Sequence, residues 1–142
     1  MEETRRPDLA AMFAPLGRAL MLAEMPILER HGLSMWGYAV LLGLGAEPVY
    51  TQAALAKAIG ADKTRIIGVL DELQHRELIE RRPDPADRRV NLVLLTPAGR
   101  TIRDRAQREI QRQEDTLLDL LTPADRKVFL RALQTLAASI NG

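Results

Sequence analysis

Two amphipathic helix patterns joined by a very short turn constrain the fold of this chain more than any other feature. The first, TQAALAKAIG, has Thr51 where an N-cap is favoured and Gly60 where a left-handed C-terminal residue is favoured. Its apolar residues Leu55, Ala58 and Ile59 share one face. Because only the sequence GAD separates it from the next helix, we expect the two helices to cross steeply.

The second helix pattern begins at Asp62, the predicted N-cap, and has one buried and one exposed face. Its buried face carries Ile66, Val69, Leu70 and Leu73, and its exposed face carries Thr64, Gly68, Asp71 and His75, with Arg65 and Ile67 on the flanks. Gly68 costs roughly 1 kcal/mol of helix propensity relative to Ala. Two explanations remain open: close approach of DNA or another backbone at Gly68, or neutral drift.

A hairpin is predicted after the second helix. Residues 78–82 and 90–95 have the composition of strands, and the segment PDPA between them must turn because neither proline can join an interior ladder. Two arginine pairs, Arg81-Arg82 and Arg88-Arg89, flank this turn. The hairpin tip is therefore expected to be locally basic.

The two arginine pairs are expected to have different roles. Arg81 and Arg82 should contact phosphates or acidic neighbours, whereas Arg88 and Arg89 lie at the tip. Asp87 is placed to brace Arg89 across the turn, which reduces the side-chain entropy that Arg89 loses on entering a groove.

Helix, tight turn, helix and hairpin in this order form a winged helix-turn-helix, which binds DNA with its second helix in the major groove and its wing along the backbone or in the minor groove. Helix N-termini offer N–H groups to phosphates, and arginine suits guanine edges and narrow minor grooves. The predicted DNA-binding residues are Thr51, Gln52, Lys63, Thr64, Arg65, Gly68, His75, Arg82, Asp87, Arg88 and Arg89.

Four further helices are predicted around this core. The first spans residues 8–30, where Pro26 should kink or end it, and the second runs from the N-cap Ser34 to Gly45. The other two start at the dipeptides Thr96-Pro97 and Thr122-Pro123. The first of the last two is expected to reach about residue 121. The fold class is therefore mainly α with a small β-hairpin wing.

Composition limits the functional classes. A chain of 142 residues with 46% apolar and 27% charged residues fits one folded domain, and no uninterrupted apolar run approaches the roughly 20 residues of a membrane helix. The N-terminus has no secretory pattern, so a cytoplasmic location is expected. There is no cysteine, no Gly-rich phosphate loop and no clustered metal-ligand pattern, so we expect neither an enzyme nor a cofactor or metal.

The sequence from Thr51 to Gly99 resembles the winged-helix core of the multiple antibiotic resistance regulator (MarR) family. The matching motifs are Leu55-Ala56 in the short helix, "D-x-R" at Asp87 and Arg89, and "L-T-x-x-G" at 95–99. The flanking helices match by length and position. The family often carries a polar or basic residue in the middle of the recognition face, where this sequence has Ile67 and Gly68.

The resemblance implies a homodimer. Residues 1–33 and 97–142 would form the dimerisation helices, and residues 34–96 the DNA-binding core. The amphipathic helices outside the core also carry more apolar surface than so small a module can cover, which favours a partner subunit over a monomeric six-helix core. That monomeric alternative remains open at this point.

The resemblance also implies a small aromatic or phenolic effector that lowers DNA affinity. Candidate lining residues are Met12, Phe13, Leu16, Met25, His31, Trp36 and Tyr38. The alternative is that these residues simply fill the core, as Met and aromatic side chains at helical spacing commonly do. Cysteine-based peroxide sensing, which some family members use, is excluded because the nucleophile is missing.

These observations predict a homodimeric repressor that binds an inverted-repeat operator in double-stranded DNA and is released by a small aromatic ligand. The alternative is a winged-helix module for protein contacts without specific DNA binding, which the net charge of only +1 leaves open.

Overall fold

The computed structural model describes residues 5–44 and 50–141. Within them the chain forms α1 (Leu9–Arg30), α2 (Met35–Gly43), β1 (Tyr50–Thr51), α3 (Gln52–Ile59), α4 (Lys63–His75), β2 (Ile79–Pro83), β3 (Asn91–Leu95), α5 (Pro97–Leu118) and α6 (Pro123–Asn141). The predicted winged helix-turn-helix with flanking helices is confirmed.

Side-chain caps fix where five of the helices begin. In each case a backbone N–H donates, at 2.7–3.2 Å, to a side-chain oxygen three residues earlier, and the five caps are Ser34, Thr51, Asp62, Thr96 and Thr122. Each bond satisfies one N–H group that the helix itself leaves without a partner. All five predicted N-caps are therefore confirmed.

The predicted span 8–30 of the first helix agrees with α1, which runs through Pro15 and Pro26 to Arg30, so only the expectation that Pro26 ends this helix is wrong. Two other predicted boundaries differ from the structure. The fifth helix ends at Leu118 rather than near residue 121. The second, α2, ends at Gly43 with Leu44 as its C-cap, and the predicted stop at Gly45 lies outside the described residues.

The hairpin belongs to a three-stranded sheet in the order β1-β3-β2. Two strands were predicted from the sequence, and β1 was not. In β1, Thr51 pairs with Leu92 and is also the N-cap of α3. Two residues are too short for an alternating pattern to be recognised. The third strand ties the start of α3 to the wing.

Pro83 lies inside β2 and pairs with Asn91, although the sequence analysis assigned it to the turn. Since β2 is an edge strand in the described sheet, one side of it needs no N–H donor, and proline is tolerated there. The turn is consequently the longer segment 84–90, closed by a hydrogen bond from the Asp84 N–H to the Val90 carbonyl (2.8 Å).

The hydrophobic core lies around α2. Val40 and Leu41 are completely buried and pack with buried residues of α3, α4 and the sheet. The end of α1 contributes Ile27 and Leu28, and the middle of α5 contributes Ala106 and Ile110. Only these parts of the long helices are thus part of the core.

Much of the apolar surface of the long helices remains exposed in one subunit. None of the residues described in α6 is buried, and its apolar stripe includes Leu136 (55% exposed) and Ile140 (81%). By length and mean hydropathy (1.3) α1 is comparable to a membrane-spanning helix, but Arg18 and Glu24 interrupt it and its C-terminal part packs on α5. These two helices have apolar faces that the subunit itself does not cover.

Candidate nucleic-acid interface

The two helices of the helix-turn-helix are held by their caps. Gly60 has a left-handed backbone (φ 72°) and ends α3, and Asp62 begins α4 by accepting the Arg65 N–H at 2.7 Å. Glycine takes this backbone conformation without steric cost. The caps place the start of α4, with Lys63 and Thr64, at an exposed position.

The recognition helix α4 has the two faces that the sequence predicted. Ile66, Leu70 and Leu73 are buried, whereas Thr64, Arg65, Ile67, Gly68, Asp71 and His75 are exposed. No heavy atom beyond the neighbouring helix backbone lies within 4 Å of the position that a Cβ on Gly68 would take. The open space at Gly68 rules out close packing against another described part of this subunit.

A groove of about 450 Å³ joins α3, α4 and the base of the wing. Four residues predicted to bind DNA line it, namely Thr51, Gln52, Lys63 and Arg89. The Lys63 and Arg89 cations come from elements far apart in sequence, and both attract phosphate. The fold therefore brings the helix N-termini and the wing to one surface.

At the wing tip, Arg89 is exposed (90% of its side chain) and is held by Asp87. The Asp87 carboxylate accepts hydrogen bonds from Arg89 Nε (3.1 Å), Nη2 (3.3 Å) and the Arg89 backbone N–H (3.1 Å). These bonds lower the pKa of Asp87 below its ordinary value. The predicted contact is confirmed, and the exposed Arg88 lies beside it.

The two arginines of the first pair, Arg81 and Arg82, lie on opposite faces of β2. Arg82 is exposed and donates to Glu80 at 2.7 Å, whereas Arg81 points inward and donates to Asp71 and Gln74 of α4. The strand alternation from the buried Ile79 already contained this distinction. Both arginines were expected to contact phosphates or acidic neighbours, and both contact acidic side chains, Asp71 and Glu80. That they point to opposite faces was not predicted, because the strand alternation was not applied.

The "L-T-x-x-G" motif joins the wing to α5. Thr96 donates its hydroxyl to the Glu77 carbonyl (2.8 Å) and accepts the Gly99 N–H (3.0 Å). A Cβ on Gly99 would stand 2.0 Å from the Leu78 carbonyl oxygen. Only glycine permits this approach, so the motif is explained by packing rather than by DNA contact.

Arg65 lies over the ring of Trp36, with its guanidinium carbon 5.6 Å from the ring centroid. This distance is within the range of cation–π attraction. Arg65 is a predicted base-reading residue, and Trp36 is a predicted effector-lining residue. The structure thus connects the recognition helix directly to the start of α2.

The cavities found among the described residues do not bring the seven predicted effector-lining residues together. A cavity of about 280 Å³ at the junction of α1 and α2 includes only Met25 among them, and its other lining residues are Met21, Glu24, Leu28, Glu29, Leu33, Ser34 and Met35. Those residues were not among the ones predicted from the sequence. Their shared position is set by how α1 packs on α2, which periodicity within one helix cannot reveal.

The other predicted effector-lining residues have separate environments. Met12 and Phe13 are exposed on α1 and Leu16 is half-buried. His31 lies 3.1 Å from Glu109 of α5. Tyr38 is only 6% exposed, and burial, followed by Glu24 and Glu114, raises its pKa to about 12, so its hydroxyl stays protonated.

Two carboxyl groups near the α1–α5 contact also depart from ordinary behaviour. Burial, followed by repulsion from Glu114, raises the pKa of Glu24, and burial, followed by Asp115, raises that of Glu114. In contrast, hydrogen bonds from Arg30 (2.7 Å) and His31 lower the pKa of Glu109. The α1–α5 region therefore combines the hydrogen-bonded ion pair of Arg30 and Glu109 with two carboxyl groups, Glu24 and Glu114, whose ionised forms are disfavoured.

The MarR family model matches residues 33–90, which contain the helix-turn-helix and most of the wing. A protein of Thauera aromatica, assigned as a transcriptional regulatory protein for the hcr operon, is 29% identical over 93% of this chain and 75% of its own length.

Two solved structures extend the similarity to the flanking helices. The crystal structure of MarR has a TM-score of 0.85 and 27% identity, covering 99% of this chain and 95% of that one. The structure of CouR from Rhodococcus jostii RHA1 bound to p-coumaroyl-CoA has a TM-score of 0.75 and 27% identity, covering 92% of each chain. Its fold, the family-model match over residues 33–90 and these relatives make the chain similar to the MarR family of winged-helix transcriptional regulators.

Proposed function

We propose that this protein is a homodimeric repressor that acts in the cytoplasm, binds an inverted-repeat operator in double-stranded DNA and is released by a small aromatic ligand. The proposal rests on one surface. The exposed face of α4, the start of α3 and Arg89, which Asp87 holds in place, meet on it. An exposed helix beside basic side chains supports the proposal, because helix-turn-helix proteins place such a helix in the major groove.

Within this proposal each part of the surface contacts a different part of the DNA. Thr64 and Arg65 read base edges, with His75 at the far end of α4, and Gly68 allows the helix to approach closely. Thr51, Gln52, Lys63 and Arg82 contact phosphates, and Arg88 and Arg89 enter the minor groove.

The dimer is supported by apolar surface that one subunit leaves exposed. The stripe of α6 and the exposed apolar residues of α1 need a cover, and a second copy supplies the same stripes in return. The ion pairs of Arg126 with Asp115 (2.6 Å) and Asp119 (2.9 Å) fix the start of α6 against α5, so the stripe is presented in one orientation.

Two copies related by twofold symmetry would present two recognition helices. Such a dimer reads an inverted repeat with half-sites about one helical turn, roughly 10 bp, apart. By occupying that DNA the dimer excludes other proteins from it, which is the simplest route from binding to repression.

Release by an aromatic ligand is supported by the relative crystallised with p-coumaroyl-CoA and by the Trp36–Arg65 contact. A ligand that alters the position of Trp36 changes the support under a base-reading arginine. Trp36 is the sole tryptophan of the chain, so its fluorescence reports on this contact directly.

The proposal is tested by sedimentation equilibrium at micromolar concentration and by footprinting on the intergenic DNA beside the gene. We expect a dimer and a footprint that covers both halves of an inverted repeat. A single monomeric species, or a footprint on one asymmetric half-site, contradicts the dimeric operator complex.

Fluorescence anisotropy with random duplex separates DNA binding from protein contacts alone. A DNA-binding protein loses affinity steeply as salt rises, because bound phosphates release counterions. If no salt-dependent binding is seen, the winged-helix module serves protein contacts instead.

A further inference from the structure

The side chain of Arg81 bridges three elements of the proposed DNA-binding surface. Its Nε donates to Gln74 Oε1 and its Nη2 to Asp71 Oδ1, each at 2.5 Å, and its Nη1 lies 3.5 Å from Gln52 Oε1. Asp71 and Gln74 belong to the recognition helix α4, and Gln52 is the first residue of α3. Arg81 itself belongs to the wing strand β2.

The position of Arg81 in the sheet explains why it faces α4. Ile79 is 1% exposed, and alternation along β2 places Arg81 on the same inward face, with 21% of its side chain exposed. Arg81 pairs with Val93 of β3, which pairs in turn with Tyr50 of β1. The arginine therefore lies at the middle of β2, beside the central strand β3, and three of its N–H groups are engaged by neighbours within the chain.

The contact with Asp71 also offsets a negative charge on the exposed face of α4. Asp71 lies on the exposed face of α4, near Gly68 and His75, and 59% of its side chain is exposed. A carboxylate at this position repels DNA phosphates unless a cation accompanies it. Arg81 supplies that cation from the neighbouring wing strand β2.

We propose that Arg81 is a positioning residue for DNA binding, which fixes the wing, the recognition helix and the start of α3 in one geometry and offsets the charge of Asp71 without contacting DNA. This inference rests on the proposed DNA-binding function. It separates Arg81 from Arg82, Arg88 and Arg89, whose side chains face outward.

The salt dependence of DNA binding distinguishes a positioning residue from a phosphate contact. Each lost phosphate contact lowers the slope of log K against log salt by about 0.9, whereas a change of geometry lowers K without removing a fixed number of contacts. The matched pair is Arg81→Gln and Arg82→Gln, measured by anisotropy with a random-sequence duplex at several salt concentrations.

For Arg81→Gln we expect roughly tenfold weaker binding, about 1.4 kcal/mol, with the slope unchanged. For Arg82→Gln we expect a slope lower by about 0.9. A slope that falls equally in Arg81→Gln makes Arg81 a direct phosphate contact and overturns the inference. Unchanged affinity in Arg81→Gln overturns it as well.

A rescue experiment tests the charge on Asp71. In the Arg81→Gln variant the Asp71 carboxylate has lost its ion-pair partner. The additional change Asp71→Asn removes that carboxylate and should restore DNA affinity several-fold. Glu80→Gln in the same background removes an equal charge from the outward face of β2 and should restore much less. Equal recovery from both changes shows a general charge effect and overturns the role of Asp71.

Folding is checked by circular dichroism and urea unfolding of every variant. Arg81→Lys keeps the charge but not the forked geometry, so it should bind with intermediate affinity and remain folded even if Arg81→Gln does not. If Arg81→Lys binds as the wild type does, the multiple contacts are not needed and the inference fails. Absence of salt-dependent binding by the wild type would instead overturn the proposed function, and this inference with it.

Discussion

Replacing Gly68 with alanine should stabilise the fold and weaken DNA binding at the same time. Gly68 lies inside α4, where glycine costs about 0.5–1 kcal/mol relative to alanine because it loses more backbone entropy on folding. No heavy atom outside the neighbouring helix backbone would meet the new methyl group within 4 Å. The free energy of unfolding of Gly68→Ala should therefore rise by about 0.5–1 kcal/mol.

The same methyl group would stand at the centre of the exposed recognition face. If DNA approaches this backbone closely, overpacking against it costs about 1–3 kcal/mol. We expect about a tenfold loss of affinity, or about 1.4 kcal/mol, for both random and intergenic duplexes. Urea unfolding and fluorescence anisotropy at one fixed salt concentration measure the two effects on the same sample.

Gly99→Ala is the matched control, with the opposite expectation for stability. Its Cβ would stand 2.0 Å from the Leu78 carbonyl oxygen, where ordinary contact begins at 3.4 Å, so the start of α5 would have to move about 1.4 Å. Such overpacking exceeds the helix-propensity gain, and we expect a loss of at least about 1 kcal/mol.

Two results would refute this reasoning. A Gly68→Ala protein that is less stable than wild type contradicts the open space at that position. A Gly68→Ala protein that is more stable but binds DNA equally well leaves glycine without a role in the interface, and neutral drift then explains it.

Three further predictions concern the wing, the half-buried Glu24 and the effector. Arg89→Ala should weaken operator binding by roughly 1 to 3 kcal/mol with the fold intact by circular dichroism, and Asp87→Ala should also weaken it. If Asp87→Ala binds more tightly while Arg89→Ala binds normally, the wing is only a solvated turn. Because burial and Glu114 raise the pKa of Glu24, the stability that its protonated form contributes is present below the unfolded pKa of 4.5 and is lost as pH rises through the folded value. Glu24→Gln should therefore raise the thermal midpoint at pH 7 but not at pH 4, and equal changes at both pH values would contradict this sign. An aromatic carboxylate that releases the operator should change Trp36 emission, and a broad panel that changes neither emission nor DNA affinity would make Trp36 a core residue only.

Local patterns in the sequence determined most of the secondary structure. Caps such as Thr51 and Asp62 and the left-handed Gly60 depend on neighbours within a few residues, so their roles could be read directly from the chain. The same holds for the contact between Asp87 and Arg89, which lie two residues apart. The buried and exposed faces of α4 followed from its helical period.

The candidate site could be predicted only in part, because some of its contacts join residues that are distant in sequence. Its residues on α4 and at the wing tip were assigned correctly as exposed, but the inward direction of Arg81 was missed. The short strand β1 and the place of Pro83 in the edge strand β2 were missed as well. In each of these cases a partner distant in sequence, or an edge position in the sheet, overrides the local preference.

The sequence by itself determined the order of elements, their caps and the charge of the wing, because these depend on contacts between near neighbours. Only the tertiary structure decided that Arg81 serves α4, that Arg65 lies over Trp36, and that Gly99 must be glycine to approach Leu78. Such contacts join elements through packing distances and side-chain directions, which are set when the helices and the sheet assemble around a common core.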